Sequence, residues 1–415
     1  MRYKGHCRSF FGKGNVLMVL FAGVFLFSAQ LIPASVFAWG ITYAPPVKVV
    51  TQNLYLGADI FKALEADPED PFGVPKKVQE IYEDIVNTDF SERAGAIADQ
   101  IEATMPDLVG LQEVSIISTQ RPYGDFLFGV TEPNADDVEY EFLELLLNEL
   151  SLRGLTYIVA AVVVNADVEF PMWPPVGFIN LPDGTPLPLL PDARLTDRDV
   201  ILVREGIPFE NVLEENYANM ITYNVGGFDV NFVRGYCALD ATVGGTTYRF
   251  VNTHLEVEGS SIDPQVPYVQ AFQAFELISI LQNQAQPIIL VGDINSSPTD
   301  ITPLPLPVAP YFILRPYWQF TFAGYADVWP RRLLGRSDPG YTCCQEADLL
   351  NEFSTLSERI DMIFVRNDLG YPPFSFTGPV FAWILGADPA DKTLSGLWPS
   401  DHAGVFSWMR IPIRY

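Results

Sequence analysis

The chain has 415 residues, room for two average domains or one large α/β domain. Its 51 acidic residues against 25 basic ones give a net charge of −26, which serves solubility and repels polyanions at long range. That excludes binding nucleic acid through bulk charge and leaves only a local basic patch or bound cations for the purpose.

The first 38 residues have the pattern of an export signal. Arg2, Lys4, Arg8 and Lys13 form a basic leader, Val16 to Phe27 is an apolar or small-residue run, and "SVFA" ends at Ala38. Cleavage there gives a secreted or periplasmic chain of residues 39–415, with net charge −30 once those four basic residues go. An uncleaved membrane anchor is the alternative. No later stretch is long and apolar enough to span a bilayer. Cys7 leaves with the leader, so Cys237, Cys343 and Cys344 allow one bridge and one thiol, with the pairing open. Two cysteines with no histidine near them in the chain make a poor zinc site, and all three are assigned structural roles.

A strand is expected from Val47 to Leu54, then helices over Lys76–Asn87 and Ser91–Thr104, the second opened by Asp89 or Ser91 as N-cap. "DLVGLQEV" is a short apolar strand, Val138–Leu152 has helical spacing, and "TYIVAAVVV" is too β-branched for a helix. "RDVILVRE" is another strand, and Gly244–Gly245 marks a hairpin. An amphipathic helix over Val266–Gln284 leads to the strands "PIILVGDIN", "ERIDMIFVRN" and "AGVFSWM". Strands that alternate with helices but also form hairpins predict an α/β fold, with two mixed sheets packed together and helices outside. Two proline- and aromatic-rich segments, near 165–197 and 301–330, interrupt this rhythm. They are expected as ordered covers or substrate-contacting insertions, with a packing elaboration as the open alternative.

At one strand end after another, an apolar run stops at a side chain able to hold a cation or a phosphate. "VVTQN" ends at Asn53, "LVGLQE" at Glu113, "RFVNTH" at Asn252 and His254, and "IILVGDIN" at Asp293 and Asn295; "ERID" starts a strand at Asp361, and "SDH" supplies Asp401 and His402. Carboxylates and amides are hard oxygen ligands suited to Mg²⁺, Mn²⁺ or Ca²⁺. His254 and His402, the only histidines past the leader, both fall among these ends.

In order, "QNLYLGAD", "LVGLQEV", "RDVILVRE", "FVNTHLE", "ILVGDINSSP", "ERIDMIFV" and "WPSDHAGV" resemble the serial motifs of the endonuclease/exonuclease/phosphatase superfamily, from about Val47 to Met409. That group includes enzymes similar to deoxyribonuclease I, abasic-site endonucleases, inositol-polyphosphate phosphatases and bacterial sphingomyelinases. The resemblance implies a four-layer sandwich of two mixed sheets flanked by helices, in one domain over 39–415. It also implies Mg²⁺-dependent phosphodiester hydrolysis by in-line attack of an activated water. Glu113 is then the principal metal ligand, with Asp401 and Asn53 beside it. Asp293 and Asn295 orient the water or hold a second cation, Asn295 also touching the phosphate. His402 is general base or phosphate contact, set by Asp361, and His254 steadies the phosphoryl oxygens or the leaving oxygen. Arg198 or Asp199 is a further candidate for the phosphate.

The sequence leaves the substrate open between nucleic acid and a phospholipid head group. Basic residues are scattered, Arg331–Arg332 being the densest pair, which weakens a nuclease. The aromatic insertions suit transient membrane contact. No protein partner is inferred. A non-catalytic binding or adhesion protein on the same fold is the reading outside enzymes.

Overall fold

Val47, Val49 and Leu108 are buried on one face of their strands, and Val50, Val109 and Leu111 on the other. Strands apolar on both faces must be covered on both, and that sets the layers. The structure, a computed structural model, describes residues 42–308, 310–335, 337–367 and 378–413. The expected export leader lies outside them. The described residues form one compact unit. No helix among the described residues is long and apolar enough to cross a membrane.

The first sheet contains β1 (Val47–Asn53), β2 (Leu108–Gln112), β3 (Ile116–Gln120), β4 (Asp137–Glu141), β5 (Tyr157–Pro171) and β6 (Asp192–Arg204). The second contains β7 (Phe209–Asn216), β8 (Gly235–Val243), β9 (Thr246–His254), β10 (Ile288–Asp293), β11 (Ala326–Asp327) and β12 (Asp361–Arg366). The chain then returns to the first sheet as β13 (Val380–Leu385) and β14 (Gly404–Met409). The orders are β13-β14-β1-β2-β6-β3-β4, with β5 also paired to β6, and β7-β8-β9-β10-β12-β11. Each sheet has one parallel pair, β1 with β2 and β9 with β10, so both sheets are mixed.

Val47, Val49 and Ile201 of the first sheet meet Leu239, Phe250 and Val291 of the second in the central core. Helices α2 (Phe90–Thr104) and α3 (Phe142–Leu152) cover the outside of the first sheet, and α4 (Val266–Leu281) and α5 (Pro316–Phe322) the outside of the second. The four-layer sandwich expected from the sequence is the fold. The sheets approach so closely at Gly110 that a Cβ there would lie 2.6 Å from Asn252 Oδ1. Asn252 itself clips the sheets together, donating to Leu111 O (2.9 Å) and Val200 O (3.1 Å). It is therefore a core amide and not a ligand at a strand end.

Locally, Asp89 is the N-cap of α2, its carboxylate accepting from Ser91 N. A further helix, α1 (Gly73–Asn87), precedes it. The helix expected from Val138 starts only at Phe142, because Asp137–Glu141 pairs with β3 as an exposed edge strand. Gly244 and Gly245 turn the β8–β9 hairpin at φ 58° and 84°, as the turn type demands.

The two insertions turn out differently. Much of 165–197 is not loop: β5 and β6 run on as a long antiparallel pair, and a small hairpin, Gly177–Asn180 with Pro186–Leu189, sits at its end. Its prolines fall on the edge strand of that two-stranded ribbon, where a missing N–H is tolerated. The segment 301–330 supplies α5 and β11, with Tyr317 and Phe320 buried under the second sheet. It is the packing elaboration that the sequence left open, and none of its described residues lines the polar cavity described below.

Candidate active site

Register places the polar residues. In each parallel pair the strands end together: Asn53 lies beside Gln112, one residue before Glu113, and His254 lies beside Asp293. Their antiparallel neighbours begin at the same edge, with Asp361 opposite Asp293 and with Asp401 and His402 just before β14. Carboxyl ends of parallel strands are where open α/β sheets hold ligands. Here the ends of two sheets face one cavity of about 310 Å³, lined among others by Glu113, Arg234, His254, Asp293, Asn295, Asp401 and His402.

Asn53 lies beneath that cavity and bridges its two acidic sides. Its Nδ2 donates to Glu113 Oε1 (3.1 Å) and Asp293 Oδ2 (3.2 Å), while its Oδ1 accepts from Tyr55 N (2.9 Å). These bonds make Asn53 a positioning residue between Glu113 and Asp293, and its Oδ1 keeps one lone pair beyond the bond from Tyr55 N for the expected ligand role. Leu56 N holds Glu113 Oε2 at 2.7 Å, and Asn295 N holds Asp293 Oδ1 at 2.9 Å. Glu113 and Asn295 have φ of 54° and 49°, backbone that non-glycine residues rarely adopt and that clusters at functional sites.

The two histidines have different company. His402 Nδ1 is 2.8 Å from Asp361 Oδ2 and 3.8 Å from Asp293 Oδ2. Burial works against its charge, yet Asp361, Asp401 and Asp293 carry the imidazole well above its usual pKa. His254 is held well below its usual pKa by burial, by Arg234 and by His402. Arg234 Nη1 lies 3.1 Å from its Nδ1, and Asn295 Nδ2 lies 3.2 Å from its Nε2. The surroundings favour the protonated form of one ring and the neutral form of the other. Asp293 and Asp401 are pushed above the ordinary carboxylate range by burial, and further by Asp361 and Glu113 respectively.

Arg198 is not part of this assembly. Successive side chains of a strand face opposite ways, so Asp197 lines the cavity while Arg198 turns to Val114 O (2.9 Å) and Glu141. Asp199, on the same face as Asp197, is fully buried, and burial keeps its carboxyl well above the usual range. The arginine that does line the cavity is Arg234, which sequence reading missed; a lone arginine opening a strand in so acidic a chain was its only signal. Also missed was buried Arg93, which donates to Leu54 O (2.6 Å), Tyr55 O (2.9 Å) and Pro399 O (3.1 Å) and so ties the exit of β1 to the "SDH" loop.

Cys343 and Cys344 are bonded to each other, and Cys237 is a buried free thiol. The expectation that no histidine lies near them holds along the chain only. A β-bridge sets Cys343 beside His402, and the two sulfurs line the cavity rim.

The donor set fits a divalent cation. Glu113, Asp293 and Asp401 bring oxygen ligands to one cavity, and their mutual repulsion is what a cation would relieve. Asp293, Asp361 and His402 each bring a ligand atom within 4.8 Å of the others.

A family model described as Endonuclease/Exonuclease/phosphatase family matches residues 86–402. No curated protein matches the chain. Among solved structures it is similar to humanized D. rerio TDP2 (16% identity over 88% of this chain and 98% of that one, TM-score 0.45). It is also similar to an endonuclease/exonuclease/phosphatase from Beutenbergia cavernae (19%, 88% and 72%, TM-score 0.46) and to a family protein from Bacteroides thetaiotaomicron (16%, 89% and 99%, TM-score 0.49). By the extent of the family match, the chain belongs to the endonuclease/exonuclease/phosphatase family, whose members are hydrolases of phosphodiester bonds that use divalent metals.

Proposed function

We propose that this chain is an exported phosphodiesterase that depends on a divalent cation, Mg²⁺ in the first instance. The observation that carries this is the single cavity in which Glu113, Asp293, Asp401, Asn295 and both histidines meet. Glu113 and Asp401 would hold the cation, which when bound neutralises the phosphate and polarises its P–O bonds. Asp293, its carboxyl raised by burial and by Asp361 and held in place by Asn53 and Asn295 N, takes the proton of the attacking water. Water oxygen bonds to phosphorus as the ester P–O bond opposite it breaks. The cationic His402, with Nδ1 on Asp361, offers Nε2–H to the phosphate or to the departing oxygen. Neutral His254 and Asn295 contact the phosphoryl oxygens, with Arg234 behind them.

For substrate, the surroundings favour a phosphodiester carrying an alkyl chain. A second, apolar cavity of about 100 Å³ adjoins the catalytic one and shares Ile60, Phe61, Leu195 and Phe232 with it. It is smaller than the roughly 150 Å³ apolar cavity that takes a benzene ring, and so suits chain carbons better than a base. Val176 and Phe178 of the small hairpin are 57% and 63% exposed, apolar surface of the kind that meets a membrane. The test sets sphingomyelin vesicles against supercoiled plasmid in Mg²⁺. Phosphocholine release is expected; plasmid nicking alone would make the chain a nuclease, and neither would leave a binding protein.

A further inference from the structure

A second group of carboxylates lies away from the catalytic cavity, where three strand ends converge. Glu169 lies two residues before the end of β5, Asp192 opens β6, and Asp125 follows β3 in the connection spanning residues 121–136. Glu169 pairs with Arg194 in register, and Arg194 is two residues from Asp192, so alternation puts Glu169 and Asp192 on one face. One carboxylate oxygen from each of Asp125, Glu169 and Asp192 lies within 4.8 Å of the other two.

Two of the three are almost wholly buried, Glu169 at 4% and Asp192 at 1% exposure. Glu169 Oε2 accepts from Asn134 N and Ala135 N, both at 2.7 Å, and Asp192 Oδ2 accepts from Phe126 N at 2.9 Å. Their other oxygens, Glu169 Oε1 and Asp192 Oδ1, are buried without a hydrogen-bond partner. The nearby arginine is committed elsewhere: Arg194 gives Nε and Nη2 to Asp167 at 2.7 Å and Nη1 to Ala135 O at 3.3 Å. Asn134 Nδ2 reaches only Asp125. The loop is shaped around these acids, since a Cβ on Gly124 would lie 1.9 Å from Asp192 Oδ2. Buried carboxylate oxygens left unpaired within a cluster of carboxylates are costly unless a cation joins them.

We infer that Asp125, Glu169 and Asp192 form a Ca²⁺ site that pins residues 121–136 onto the ends of β5 and β6. The metal follows from the chemistry. Ca²⁺ takes six to eight oxygens in flexible geometry and so suits carboxylates already fixed by backbone N–H groups, whereas Mg²⁺ demands a near-ideal octahedron and keeps several of its waters. Carboxylate oxygens supply three ligands, Glu169 Oε1 and Asp192 Oδ1 among them; water and loop carbonyls complete the shell.

The test titrates Ca²⁺ by calorimetry into a Glu113→Gln protein, which weakens any cation site in the catalytic cavity, and into the same protein with Asp192→Asn or Glu169→Gln. One Ca²⁺ per chain in the first is expected to bind at least about tenfold more weakly in the others. In parallel, chymotrypsin is applied to the unaltered protein, because Tyr123, Phe126, Leu127 and Phe128 are cut sites within the loop. Millimolar Ca²⁺ should slow those cuts and Mg²⁺ should not. Unchanged Ca²⁺ stoichiometry and affinity after both substitutions would overturn the site. So would cleavage indifferent to Ca²⁺, an outcome that needs no variant to fold.

Discussion

His254 and His402 enter one cavity from opposite sheets, and the two sides make opposite uses of the same ring. His402, just before β14 of the first sheet, is favoured as a cation by Asp361 reaching it from β12 of the second sheet and by Asp401 beside it, which leaves its Nε2 to donate. Across from it, burial first and then Arg234 favour the neutral form of His254. The residue type sets what a side chain can do; its charged neighbours decide which form is present. A phosphate oxygen is thereby met by a charged donor on one side and by a neutral contact on the other.

Removing the charged ring should hurt most. His402→Ala is expected to lower kcat by about 10³-fold or more with KM little changed, as read in steady-state hydrolysis. Asp361→Asn leaves the ring but removes its strongest support. It should cost about 10²-fold, and it should move the alkaline limb of the kcat profile to lower pH, since His402 would lose its proton sooner. Arg234→Met acts on the other ring, at roughly tenfold in rate. NMR titration should show the His254 pKa rising towards the usual value of about 6.5, because a repelling charge has gone. In the unaltered protein with chelator, His402 should still be protonated at a pH where His254 is already neutral.

The same asymmetry has a sign in stability. A raised folded pKa means that His402 stabilises fully below its unfolded value and that the contribution is lost as pH rises through the folded one. His402→Gln should therefore flatten the alkaline side of the unfolding profile. For His254 the shift is downward, so its contribution is present above the unfolded value and lost as pH falls. The smallest effect expected is Gly110→Ala, which pushes on Asn252 two residues before His254 and should cost about 1–3 kcal/mol by chemical denaturation.

Most of the site was legible because the chemistry sits where apolar runs stop, and such stops can be read without knowing which strands pair. Asn53, Glu113, His254, Asp293, Asn295, Asp361, Asp401 and His402 come together for that reason. Arg198 was misplaced because the face a strand residue takes depends on register, and one position separates the cavity from Glu141. Arg234 and Arg93 were invisible because their partners are backbone carbonyls and rings brought in by distant segments. The insertion at 165–197 looked like loop because its prolines masked a polar–apolar alternation that continues both long strands. Positive φ at Glu113 and Asn295 has no sequence signature in residues that can serve many other places.

Hydrolysis of a small phosphodiester, bis(4-nitrophenyl) phosphate, in ¹⁸O-water tests the account most directly, with Mg²⁺, with chelator and in the His402→Ala protein. Incorporation of one ¹⁸O into the phosphomonoester, abolished by chelator and reduced about 10³-fold in the variant, is the predicted result. Turnover that survives both chelator and His402→Ala would place the chemistry elsewhere, and no turnover of this or of any longer phosphodiester would contradict an enzyme.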